Sequence, residues 1–217
     1  MRLARRCKRS AELAHCAIVR KMWVTRVKLQ ERRDRQTRKE IYEAAMSLFA
    51  KRGLTQTTVA QIADTAGVSR RTIYRHFPAK EEIAGELPRQ WLERFNKVVG
   101  TQQPSETSKQ ICRRGVLEVA RLIESDRDRV MTAYRVLSTM TDLARQHASS
   151  NRQWLETYCA LLGQDDAPGD TSAALRTAAV AGVLMSGTDA ALLMWIHDPK
   201  IDLEAMTGHV WELATRL

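Results

Sequence analysis

Turn-forming residues are scarce in this chain, with 10 glycines and 5 prolines in 217 residues. That leaves little room for a sheet protein, whose strands need frequent tight connections. The four cysteines, Cys7, Cys16, Cys112 and Cys159, form no C-x-x-C pair and have no histidine nearby at a ligand spacing. A zinc site is therefore not expected, and reduced thiols in a cytosolic protein are the plain reading. No uninterrupted apolar run approaches the length that crosses a bilayer. Also missing are a nucleophile elbow, a phosphate loop, a metal signature and a paired-carboxylate constellation. Their absence argues against an enzyme and gives no sign of a cofactor.

Acidic residues are rare at the front of the chain. Residues 1–30 carry nine Lys/Arg against one Glu, a net charge of +8. Residues 31–80 carry eleven basic and five acidic residues, a net of +6, and residues 81–217 have a net of −4. All of the excess positive charge thus lies in the first eighty residues. A basic front and a mildly acidic back suggest a polyanion-binding module joined to a part with another task. Nucleic acid and an anionic membrane surface are the two candidate polyanions.

The first thirty residues lack the apolar centre and small-residue cleavage site of a secretory signal. They are Arg-rich and acid-poor, a weak match to an organelle transit peptide. A flexible basic arm, or an upstream extension with the true start at Met22 or Val27, fits better, and no packed structure is expected there.

What is present favours helix: Ala, Leu, Arg, Glu and Gln are common, so a mostly helical protein is expected. From Arg35 onward Ile41, Ala44, Ala45, Leu48 and Phe49 give one apolar helical stripe, closed by Gly53. Thr58 and Gln61 fit a capping box, so a second helix begins near Val59 and ends at Gly67. Ser69 suits the N-cap of a third, short helix from about Arg70 to His76, which Pro78 stops. Lys80, Glu81 and Glu82 open a fourth helix running to about Val98, with a kink or break expected at Pro88. Gly100 to Ser108 is a polar linker. Further helices are expected near 106–124, 127–139, 142–162, 171–197 and 203–216, with a loop at Gln164 to Asp170. The organisation is then a basic extension over 1–30, a compact unit over 31–80 and a helical domain over 81–217.

Two short helices joined by a glycine turn make a helix-turn-helix. Gly67 can take the left-handed conformation of a sharp turn. Ala63 lets the helices approach, and Val68 and Ile73 fill the angle between them. The outer face of the third helix is then free to enter a major groove. Arg70 and Arg71 stand at its N-terminal end, where base edges are usually reached, and an arginine can bond two acceptors of guanine at once. Tyr74, His76, Thr57 and Thr58 suit phosphate oxygens, and Lys80 is placed to meet the DNA backbone. The competing reading of Arg70 and Arg71 is a merely solvated face.

The segments IYEAAMSLFAKRG, TTVAQIADTAGVS and TIYRHFPAKEE within residues 35–82 closely resemble the DNA-binding domain of the tetracycline-repressor (TetR) family of bacterial regulators. The resemblance covers about fifty residues. It implies an all-α protein with three N-terminal DNA-binding helices and a larger C-terminal ligand-binding and dimerisation domain. It also implies a homodimer on a palindromic operator, usually a repressor released by a small ligand. It carries DNA contacts to Thr57, Thr58, Arg70, Arg71, Thr72, Tyr74, His76 and Lys80. Arg71 departs from the pattern, standing where the family often has a small residue, and the basic stretch before Arg35 exceeds the family's usual leader.

The back half is less informative. Ala174, Ala178, Ala181 and Gly182 would let another helix pack closely against 171–197. Leu203, Met206, Val210, Trp211 and Leu213 give the last helix an apolar side. The resemblance implies that these two helices pair with their twins in a dimer. Met131, Tyr134, Met140, Trp154, Tyr158 and Met185 are the candidates to line a ligand pocket, although residues at such spacing more often belong to a core. The ending from Trp195 to Asp202 and Leu203 resembles members that sense apolar or acyl-type molecules. His147, His197 and His209 show no ligand spacing. The alternative to a specific repressor is a non-specific, nucleoid-type DNA-binding protein, which strongly salt-sensitive and sequence-independent binding would reveal.

Overall fold

The computed structural model describes residues 29–138 and 143–216, with side chains described outside 143–150. Ten α-helices and one short 3₁₀ turn account for the described elements, and no strand occurs among the described residues. Of the basic extension expected over 1–30, residues 1–28 lie outside the described residues and 29–30 begin the first helix, and the candidate pocket residue Met140 also lies outside the described residues.

Helix α1 covers 29–52. Its inner face carries Ile41, Ala44, Ala45 and Phe49 as expected, and Tyr42 and Met46 are also buried. Helices α2 (Val59–Ala66) and α3 (Arg70–His76) pack on that face through Ile62, Ala63, Ile73 and Phe77. The expected fourth helix is two: α4 (Lys80–Ala84) and α5 (Glu86–Val99), separated at Gly85. The break falls three residues before Pro88, and the reason is local. Pro88 has no N–H, and its ring would collide with the carbonyl of Ala84 if the helix ran on. Within the first turn of a new helix both problems vanish.

The larger domain contains α6 (Ser108–Ser125), α7 (Arg127–Leu137), α8 (Leu143–Leu162), α9 (Thr171–His197) and α10 (Leu203–Ala214). Thr107 starts α6 through a capping box with Gln110, Asp170 starts α9, and Asp202 starts α10. Helix α6 sits centrally and packs against α5, α8 and α10, while α9 packs against α8 and α10. The Arg121 guanidinium holds Glu204 with bonds of 2.7 and 2.5 Å, and the Glu124 carboxylate accepts the Leu203 N–H at 2.6 Å. At Gly187 the α9 backbone comes so close to α10 that a Cβ would lie 2.5 Å from Val210 Cγ1.

Helix α9 is long and apolar enough to cross a membrane by length and composition alone, and a third of its most apolar stretch is buried within the chain. Ala181 belongs to the core rather than to its open face. Ala174, Ala178, Ser186 and Ala190, spaced four apart around half-buried Gly182, form the exposed stripe. On α10, Leu213 points outward, 63% exposed, instead of joining the apolar side with Val210 and Trp211.

Candidate nucleic-acid interface and ligand chamber

The geometry of α2 and α3 follows from three local devices. Thr58 Oγ1 accepts the Gln61 N–H, and the Gln61 side chain accepts the Thr58 N–H at 3.0 Å, closing the start of α2. Gly67 has φ 66° and ψ 29°, a left-handed conformation that costs a side-chain-bearing residue about 1 kcal/mol or more. There the Val68 N–H reaches the Ala63 carbonyl at 3.0 Å, which ends the helix. Ser69 Oγ then accepts the Thr72 N–H at 3.0 Å and starts α3.

With Ile73 turned inward, α3 presents Arg70, Arg71, Tyr74 and Arg75 to solvent. Among the described residues, neither Arg70 nor Arg71 forms an ion pair or a hydrogen bond. Thr58 is also exposed, beside the free amides of the α2 N-terminus. Thr72 is half-buried against the Ser69 hydroxyl. His76 is half-buried as well, 3.2 Å from Arg75 Nη2. Burial and the Arg75 and Arg38 charges outweigh the opposing Asp34 and Glu86 and hold its pKa below the usual histidine value. It is therefore neutral near neutral pH.

Two expected DNA contacts are used inside the protein. Thr57 is fully enclosed, and its hydroxyl donates to the Gly53 carbonyl at 2.8 Å, so the side chain does not face a phosphate. Lys80 Nζ donates to the carbonyls of Leu54 at 2.9 Å and Thr57 at 2.8 Å, with Thr55 at 3.4 Å. Its ammonium ties α4 to the turn between α1 and α2. Both residues brace the reading head.

A cluster with no local sequence signal joins α3 to the larger domain. The Glu86 carboxylate, 1% exposed, accepts Arg38 Nε at 2.7 Å, Arg89 Nε at 2.9 Å and Gln90 Nε2 at 3.0 Å, and a further bond from Arg89 Nη2. Burial pushes the Glu86 pKa up, but the bonds from Arg89, Gln90 and Arg38 prevail and hold it below the ordinary carboxylate range. Arg38 also donates Nη1 to the His76 carbonyl at 2.6 Å and stacks over the Phe77 ring at 4.0 Å. The last turn of α3 is thus fastened to the first turn of α5. The partners stand 38 and 48 positions apart, so spacing could not reveal them.

In the larger domain two cavities, of about 70 and about 420 Å³, lie among α5 to α10 and share Trp91, Asn151, Asp189 and Leu192 on their walls. Trp154, Tyr158 and Met185 line the smaller and Tyr134 the larger. Met131 packs against the core and lines neither of these two cavities. Phe95 meets Trp154 and Tyr158 edge-on at 5.5 and 5.4 Å. The Asn151 amide donates to Asp189 Oδ2 at 3.3 Å. Helix α5 supplies Leu87, Pro88 and Trp91 to the wall, one to five residues after Glu86.

Residues 41–87 match the family of bacterial regulatory proteins described as the tetR family. The chain is 48% identical over 56 residues to the HTH-type transcriptional repressor KstR2 of Mycobacterium tuberculosis, a stretch covering 26% of this chain and 28% of that protein. The sequence match therefore spans less than a third of such relatives. Full-length TylP, a TetR regulator from Streptomyces fradiae, superposes with a TM-score of 0.62 at 23% identity over 86% of this chain and 81% of its own. The transcriptional regulator FadR from Bacillus subtilis, solved in complex with stearoyl-CoA, gives 0.55 at 22% identity over 81% of this chain and 96% of its own. At these identities the likeness to the two structures concerns the fold. Residues 41–87 thus carry the DNA-binding domain of the tetR family of bacterial regulatory proteins, set in a chain that shares the all-α fold of those two structures.

Proposed function

We propose that the chain is a homodimeric repressor that binds a palindromic operator and leaves it when a small molecule occupies the chamber. The observation that carries the DNA reading is the outward face of α3, where two adjacent arginines stand exposed beside Tyr74. On DNA, Arg70 and Arg71 reach guanine edges in the major groove, while Thr58, Thr72, Tyr74 and His76 fix the protein on phosphates. A palindrome needs two such heads about one helical turn apart, which a two-fold dimer supplies.

The dimer reading is supported by the small-residue stripe of α9 and by Leu175 and Leu213, exposed at 71% and 63%. Apolar side chains this open on neighbouring helices favour burial against a second copy. Ligand release is supported by the position of α5, which forms part of the chamber wall and also holds Arg38 through Glu86. A ligand that shifts α5 moves the clasp on the last turn of α3. Structural neighbours such as FadR, solved with a small-molecule thioester, agree with a ligand-sensing role.

The test is selection of tight binders from random-sequence DNA, followed by fluorescence anisotropy against scrambled DNA at one salt concentration. The expected result is a two-fold symmetric site bound roughly 10³-fold or more tighter than scrambled sequence. Equal affinity for both, with a steep salt dependence, would instead establish a non-specific nucleoid-type protein.

A further inference from the structure

Helix α3 carries a third exposed arginine, Arg75, outside the set of DNA contacts that the family resemblance supplies. Ile73 is the buried anchor of this helix. At about 100° per residue, Arg71 and Arg75, each two positions away from Ile73, fall nearly opposite it. They are also four apart, so they stand one turn from each other on the outermost row. The helix contains no acidic residue. Like charges in such a row weaken a helix slightly, and an anion lying along the row offsets that cost.

Arg75 differs from Arg70 and Arg71 in having a seat. Its Nη2 lies 3.2 Å from His76 Nε2. Arginine only donates, so the ring nitrogen accepts and the imidazole proton is on Nδ1. The His76 backbone is fastened in turn, because Arg38 Nη1 donates to its carbonyl at 2.6 Å. Among the described residues Arg75 makes no other hydrogen bond and no ion pair, which leaves Nε and Nη1 open.

We infer that Arg75 grips a DNA phosphate, its guanidinium seated on the His76 ring. This rests on reading α3 as the DNA-binding helix. Base edges are reached from the N-terminal end of such a helix, and Arg75 stands at the other end. A planar guanidinium with two edges free matches a pair of phosphate oxygens. The contact fixes the lie of α3 in the groove and carries no sequence information.

The experiment is fluorescence anisotropy of the full chain on a scrambled duplex and on the site recovered by selection, over a series of salt concentrations. Arg75→Gln removes the charge and keeps a polar side chain. It is expected to weaken binding to both duplexes by the same factor, on the order of tenfold. The steepness of log affinity against log salt is expected to fall by about 0.9, the share of one phosphate. Arg152→Gln removes an equal charge at an exposed position on α8 and is expected to leave the slope unchanged. A wild-type slope in Arg75→Gln, or an equal change in Arg152→Gln, overturns the inference. So does a loss confined to the selected site with altered base preference, which would make Arg75 a base reader. A cation serving only the end of the helix would change the melting point and not the slope. Failure of the wild type to bind either duplex overturns the inference together with the DNA reading beneath it. If circular dichroism shows Arg75→Gln unfolded, Arg75→Ala decides by the same slope.

Discussion

Replacing Glu86 with glutamine should weaken the fold by an amount that depends on pH in a defined direction. The carboxylate is 1% exposed and bonds two guanidinium groups and an amide. Breaking a buried ion pair costs about 3–5 kcal/mol. Here Arg38 and Arg89 keep 25% and 35% of their side-chain surface in water, and glutamine retains one acceptor oxygen. Solvent screening and partial re-bonding reduce the expected loss to about 2–3 kcal/mol at neutral pH. Because the folded pKa of Glu86 lies below its ordinary value near 4.5, its contribution is complete above that value and fades as pH falls through the lower folded one. The gap between wild type and Glu86→Gln in urea unfolding should therefore hold from neutral pH down to the ordinary value near 4.5 and narrow as the pH falls below it. A gap that is constant across that range, or below about 0.5 kcal/mol at neutral pH, would refute the role assigned to the charge.

Three other outcomes follow from the same structure. Arg71→Ala is expected to cost about 1–3 kcal/mol in operator affinity and to relax base preference, measured by competition with single-base operator variants; an unchanged preference removes Arg71 from base reading. Gly187→Ala forces a Cβ against Val210 and is expected to lower stability by about 1–3 kcal/mol, with recovery in Gly187→Ala combined with Val210→Ala; a melting point equal to wild type would contradict the close approach of α9 and α10. Sedimentation is expected to give a dimer for the wild type and a monomer for Leu175→Glu combined with Leu213→Glu; a dimer in both removes these exposed side chains from the interface.

What the sequence disclosed was local. The Thr58–Gln61 cap, the Gly67 turn and the Ser69 cap each involve residues within a few positions, so they could be read directly and fixed α2 and α3 to the residue. The break at Gly85 was displaced because the effect of Pro88 acts through a carbonyl four residues earlier. The internal bonds of Lys80 were not legible because a lysine near a helix start looks alike whether it meets a phosphate or three carbonyls of a distant turn. Arg38 was missed for the same reason: its partners lie far along the chain. In the back half, Trp154, Tyr158 and Met185 reached the smaller cavity while Met131 entered the core. Helical spacing gives a side of a helix, and it does not say which side holds a void.

The brace around the turn at 54–57 has a consequence for how such a protein changes. Lys80, Thr57, the Gly67 corner and the Arg38 clasp set the angle of α3, and none of them draws on Arg70, Arg71 or Tyr74. The mount is independent of the tips. Those outer side chains are free to vary, by drift or by design, and the chain can acquire a new address on the genome without having to learn a new way to fold.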